Sequence, residues 1–172
     1  MGLPLRTADQ LIDAHIEARW AARRSGPWAW MLQDLWRLLL EQEGPIPVDQ
    51  LHWLLPGRTR EAVPEALTAL DADDLIVVRD GRLTVAYPFS GEPTAFAAIL
   101  PDGRHRYACC AIDALGIAPM LGQRIEVGSH CHHCGEPLAF AVDADGPAAG
   151  AAGVMVWVGQ WGGAGGRRAT SL

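Results

Sequence analysis

"LIVVRDGRLTVAY", residues 75–87, decides the fold of the first half of the chain. Two runs rich in β-branched residues flank Asp80-Gly81, and that dipeptide is a strong two-residue hairpin signal. Upstream of it the pattern is helical. "WAWMLQDLWRLLLEQE", residues 28–43, is apolar along one side and is stopped by Gly44 and Pro45. "PVDQLHWLL", residues 47–55, predicts a short helix. "TREAVPEALTALDADD", residues 59–74, predicts a longer one with Pro64 in its first turn. Nearer the N-terminus, Thr7 and Gln10 have capping-box spacing ahead of Leu11, Ile12, Ile16 and Trp20, which recur at helical intervals. Helices followed by a two-stranded hairpin make a winged-helix pattern over residues 28–88.

Composition limits what such a unit can do. With 172 residues, 49% of them hydrophobic and 20% charged, the chain can build a packed core. The net charge of −6 argues against a generic nucleic-acid surface. Within the helix at 59–74, Glu61 and Glu65 offset the nearby Arg58 and Arg60, so a packing role is favoured over DNA binding. No apolar run approaches the ~20 residues of a membrane span, and "MGLPLRTADQ" lacks the apolar stretch of a signal peptide. A cytoplasmic location is expected. There the four cysteines stay reduced and read as metal-binding or reactive.

After the linker "PFSGEP", residues 88–93, a second pattern begins. "TAFAAIL" and "HRYA" predict strands joined by a "PDGR" turn. "CCAIDALGIAPML", residues 109–121, predicts a helix stopped near Gly116 to Pro119. "RIEVGSH" and "EPLAFAVDA" predict two strands around "CHHCG", and "VMVWVGQW", residues 154–161, one more. The expected class is α+β: a helical winged-helix-like unit over 1–90, then a small mixed unit over 91–172 whose one helix carries "CCAID".

Two clusters could carry chemistry. Residues three apart share a helix face, so Cys110 and Asp113 are expected to point together, with Cys109 about 100° around. A cysteine in the first turn of a helix tends toward thiolate. A carboxyl beside it in apolar surroundings tends toward a raised pKa and can hold a proton. The alternative is a buried cysteine acting as a small hydrophobe, with Asp113 capping locally. The second cluster is "SHCHHCGEP", residues 129–137. Cys131 and Cys134 offer half of a four-ligand zinc site. The other half is either one of His130, His132 and His133 together with Cys109, or absent, leaving a hairpin turn with incidental thiols.

The stretch "RYACCAIDALGIAPMLGQRIEVGSHCHHCGEPLAF", residues 106–140, resembles the core of the organomercurial (alkylmercury) lyase family. The resemblance covers residues 94–142, extends more loosely over 28–93, and fades in the last part of the family domain. It implies an enzyme that cleaves carbon–mercury bonds by protonolysis, with no required cofactor, mercury bound as substrate and product, and small thiols as partners. It implies that Cys110 is the nucleophile, that Asp113 handles the proton, and that Cys131 is structural. The family's second active-site cysteine has no counterpart, because no cysteine follows Cys134. Cys109 or a small thiol would have to supply a second sulfur, or Cys131, Cys134 or a histidine would have to substitute by the hairpin folding over the helix. Strand edges left uncovered at the C-terminus favour a homo-oligomer. A soft-metal-binding or sensing module and a winged-helix DNA-binding regulator are the competing expectations.

Overall fold

The computed structural model of the protein describes residues 4–12 and 14–158. After a short 3₁₀ turn comes α1 (Ala14–Arg24). The expected capping box is present, with Gln10 Oε1 accepting the Thr7 backbone N–H at 3.1 Å. α2 (Ala29–Glu41) buries Met31, Leu32, Leu35, Leu38 and Leu39, a stripe at helical spacing. β1 (Ile46–Pro47) and α3 (Leu51–Leu54) follow. α4 (Ala62–Ala72) buries Val63, Ala66, Leu67 and Leu70 and carries Pro64 in its first turn. Its end is closed by Asp74 at φ 59°, with the Leu75 N–H reaching back to the Leu70 carbonyl at 2.9 Å.

The hairpin is present as read. β2 (Ile76–Arg79) pairs antiparallel with β3 (Arg82–Ala86). Asp80 and Gly81 both have positive φ, 50° and 70°, as the tight turn requires. The chain continues through β4 (Phe89–Ser90), β5 (Ala97–Ile99) and β6 (His105–Ala108). It then forms α5 (Ala111–Leu121), β7 (Ile125–His130), β8 (Pro137–Asp143) and β9 (Gly146–Pro147). All pairings are antiparallel and form one sheet in the order β1-β3-β4-β6-β5-β7-β8-β9, with β2 on β3. β4 joins the two halves: Phe89 pairs with Ala86 of β3 on one side and Ala108 of β6 on the other.

A single apolar cluster runs from Leu35 and Leu70 through Phe89 to Ile117 and Ile125. A polar clamp adds to it. Arg106, only 6% exposed, donates from Nε and Nη2 to the Leu40 carbonyl at 3.0 and 2.7 Å. Arg104 Nη1 reaches the same oxygen at 2.6 Å. Two guanidinium groups therefore hold the unpaired carbonyl end of α2 against β6.

Three sequence expectations are corrected. α5 does not stop at Gly116 to Pro119 but runs to Leu121, where Gly122 at φ 62° ends it. Gly116 and Pro119 lie on its exposed face, while Ala114, Ile117 and Ala118 pack inward, and that packing carries the helix past the lost N–H of Pro119. Cys109 and Cys110 are not inside this helix: Cys110 is its N-cap in extended geometry (φ −148°, ψ 178°). Residues 154–158 form no strand, and Met155 and Trp157 are 69% and 70% exposed; the rest of the expected strand lies outside the described residues.

Candidate active site

Cys110 caps α5 where β6 hands over to the helix. Its Sγ accepts the Asp113 backbone N–H at 3.5 Å, occupying the place a serine oxygen takes in a capping box. Asp113 completes the reciprocal half, since its carboxyl takes hydrogen bonds from the Cys110 thiol and the Cys110 backbone N–H. The Cys-x-x-Asp spacing thus fixes one sulfur and one carboxyl on each other through backbone geometry, before any ligand arrives.

The electrostatics differ from the sequence expectation for the cysteine and agree for the aspartate. Burial first, then the hydrogen bond to the Asp113 carboxylate and its charge, push the Cys110 thiol up to about 11. The N–H groups of Asp113 and Ile112 pull the other way and are outweighed. The helix N-terminus does not leave a free thiolate here. Burial also holds Asp113 above the usual carboxylate range, against the opposing hydrogen bonds from Cys110.

Two further groups lie close enough to feel the charge of this pair. Cys109 is 4% exposed, and its backbone N–H donates to the Pro88 carbonyl at 3.0 Å. Its thiol is pushed upward by burial and by the charges of Asp113 and Cys110, and it packs with Val77, Val85 and Tyr87. It precedes the helix, so the 100° helical offset does not apply. Tyr87 was not singled out from the sequence. It packs with Val77, Val85 and Cys109, and its peptide is fixed by Trp36 Nε1, which donates to the Tyr87 carbonyl at 2.6 Å. Burial first, then Cys109 and Asp113, raise its phenol, which stays protonated. The pairing of β3, β4 and β6 brings it here from 23 positions before Cys110.

Cys131 and Cys134 lie elsewhere, in the turn between β7 and β8. The Cys131 N–H donates to the Glu136 carbonyl at 2.8 Å, and the Gly135 N–H to the Cys131 carbonyl at 2.8 Å. Cys131 is half-buried and Cys134 exposed. Among the described residues, no group of three or more His, Cys, Asp or Glu side chains is arranged to hold a metal ion. The other two ligands of the expected zinc site are therefore not gathered there, whether from the histidines or from Cys109.

A half-buried thiol hydrogen-bonded to a carboxyl of raised pKa, with a second thiol and a neutral phenol nearby, defines a thiol–carboxyl centre suited to soft electrophiles. Residues 89–171 match the family model described as alkylmercury lyase. That match reaches past the point where the motif resemblance fades and takes in the C-terminal segment. The alkylmercury lyase of Staphylococcus epidermidis (strain ATCC 12228 / FDA PCI 1200) is 29% identical over 116 residues, 67% of this chain and 51% of that protein. The alkylmercury lyase of Bacillus cereus is 39% identical over 44 residues, 26% of this chain and 20% of that one. The chain thus spans about half the length of the first of these relatives, and less of the second. The crystal structure of the mercury-bound form of MerB2 superposes with a TM-score of 0.50 at 23% identity, covering 68% of this chain and 65% of that one, a likeness of fold. On these matches residues 89–171 are similar to the alkylmercury lyase family.

Proposed function

We propose that the protein cleaves the carbon–mercury bond of organomercurials, with Cys110 capturing the metal and Asp113 delivering the proton. One observation carries this: the Cys110 thiol is hydrogen-bonded to the carboxyl of a half-buried Asp113. Mercury is soft and exchanges its existing ligand for sulfur. As the Cys110–mercury bond forms, the S–H proton has an acceptor in place, the Asp113 carboxylate. The captured species is Cys110–S–Hg–R, and Asp113 now holds the proton. When the Hg–C bond breaks, its electron pair stays on carbon and takes that proton, releasing the hydrocarbon R–H. A second thiol gives its own proton to Asp113 and, as thiolate, occupies the vacated position on mercury. Cys109 or a small thiol from solution fills this role. The neutral Tyr87 phenol adds no competing charge to the pocket.

Free thiols at Cys109, Cys110, Cys131 and Cys134 suit a reducing cytoplasm. No described helix is long and apolar enough to cross a membrane. The DNA-binding alternative loses support from Arg58, which is engaged by Asp34 at 3.1 Å and lies over the Trp30 ring at 4.1 Å. The test is incubation of the wild-type protein with phenylmercury and excess small thiol, with benzene measured by gas chromatography. Benzene in molar excess over protein is expected. Tight capture with no benzene over many hours would leave a soft-metal-binding module instead.

A further inference from the structure

The cysteines at 131 and 134 are not used by this chemistry, yet the fold places them near it. Tyr107 of β6 and Gly128 of β7 are both level with Ala97 of β5. β6 and β7 each run antiparallel to β5, so they point the same way and finish at the same end of the sheet. Cys110 stands three residues past Tyr107, and Cys131 three past Gly128. The two strand ends are separated by two strand spacings, about 10 Å.

The turn itself is built around sulfur. Gly135 at φ 73° lets the chain fold back, and the pair of hydrogen bonds between Cys131, Gly135 and Glu136 closes the loop. Inside it the backbone N–H groups of Cys134 and His133, and the Cys134 thiol, all lean on Cys131 Sγ and lower its pKa. This differs from the environment at Cys110: the turn is donor-rich, and the nearby Glu136 carboxylate acts on Cys131 only weakly, through its charge.

We propose that Cys131 and Cys134 form a second, surface dithiol site that binds a two-coordinate thiophilic cation, Hg(II), at the same sheet end as Cys110. Two thiols bind Hg(II) as a bis-thiolate and release two protons to solvent. Such a cation needs only two sulfurs, so the lack of further ligands that counts against zinc does not count against it. Insofar as the site takes the mercury released from Cys110, it rests on the lyase proposal. Its capacity for inorganic Hg(II) does not.

The test uses the full chain and inorganic mercuric chloride, with no organomercurial. In a Cys109→Ala/Cys110→Ser background, bound mercury is measured after challenge with rising concentrations of a small monothiol. The background protein should retain one equivalent. Adding Cys134→Ser should lower the monothiol concentration that strips the metal by about 100-fold, the gain expected from holding two ligands on one turn. The Cys134 side chain is exposed, so its replacement should leave the thermal midpoint of the metal-free protein unchanged. Cys131→Ser provides the independent second variant and should lose the metal equally. Equal retention with and without Cys134, or no retention in the background protein, would overturn the proposal. Neither result would bear on hydrocarbon release, which is measured separately.

Discussion

The chain holds two pairs of cysteines at one end of one sheet, and their surroundings make them opposites. At Cys109 and Cys110, burial and the Asp113 charge keep both thiols protonated. At Cys131, backbone donors and the Cys134 thiol in an exposed turn favour the thiolate. The same side chain is a proton-carrying partner in one place and a ready anion in the other. Nucleophilicity alone would select the exposed pair as the reactive one. Protonolysis needs more than a nucleophile: it needs a proton held beside the metal-bound carbon, and at Cys110 the thiol is hydrogen-bonded to the Asp113 carboxyl, whereas Glu136 acts on Cys131 through its charge alone.

The comparison can be broken most sharply at Cys110. Cys110→Ser should abolish both capture and hydrocarbon release, because a hydroxyl is a hard and poorly acidic ligand for mercury. Hydrocarbon yield and retained mercury check this, and the Cys131→Ser protein should still release hydrocarbon. Alkylation of the metal-free protein sharpens the contrast. With a pKa of about 11, only about 10⁻³ of Cys110 is thiolate at pH 8. Iodoacetamide should therefore label Cys131 first, and Cys110 labelling should rise about tenfold per pH unit toward 11. Peptide mass spectrometry reads the order.

A smaller effect is expected at Cys109. Cys109→Ala should slow turnover only at low thiol concentration, since a solution thiol replaces the second sulfur when plentiful. A thiol titration of the hydrocarbon rate tests this. The smallest effect is on stability. Cys110 is protonated in both folded and unfolded chains below pH 9, so its contribution is constant there. Between 9 and about 11 the unfolded chain loses the proton and the folded one keeps it, so stability falls as pH rises. Thermal melts should drop by roughly 2–4 °C per pH unit over that window from this thiol, and Cys110→Ala should flatten that part of the curve.

Local signals in the sequence were enough for some of this. The β2–β3 hairpin follows from Asp80-Gly81, whose positive φ angles few other residue pairs tolerate. The α2 stripe follows from the spacing of Met31, Leu35 and Leu38. The Cys110–Asp113 pairing was legible from its three-residue spacing, although the physical cause is a capping arrangement rather than a shared helix face. What depended on distant contacts was hidden. Tyr87 reaches the site through sheet register, which no local window encodes. The raised Cys110 pKa depends on burial, whereas the sequence exposed only the opposing helix end. Gly116 and Pro119 read as a stop because the packing of Ile117 and Ala118 that carries the helix past them is tertiary.

The central claim is that Cys110 and Asp113 divide the work, one capturing mercury and the other supplying the proton. A single-turnover experiment on wild type and Asp113→Asn, with bound mercury and released hydrocarbon measured in the same samples, tests it most directly. Both proteins should capture the organomercurial to the same extent. Hydrocarbon release from Asp113→Asn should be slower by about 10²–10⁴-fold, the usual effect of a lost general acid. Equal release rates in the two proteins, or loss of capture in Asp113→Asn, would contradict the account.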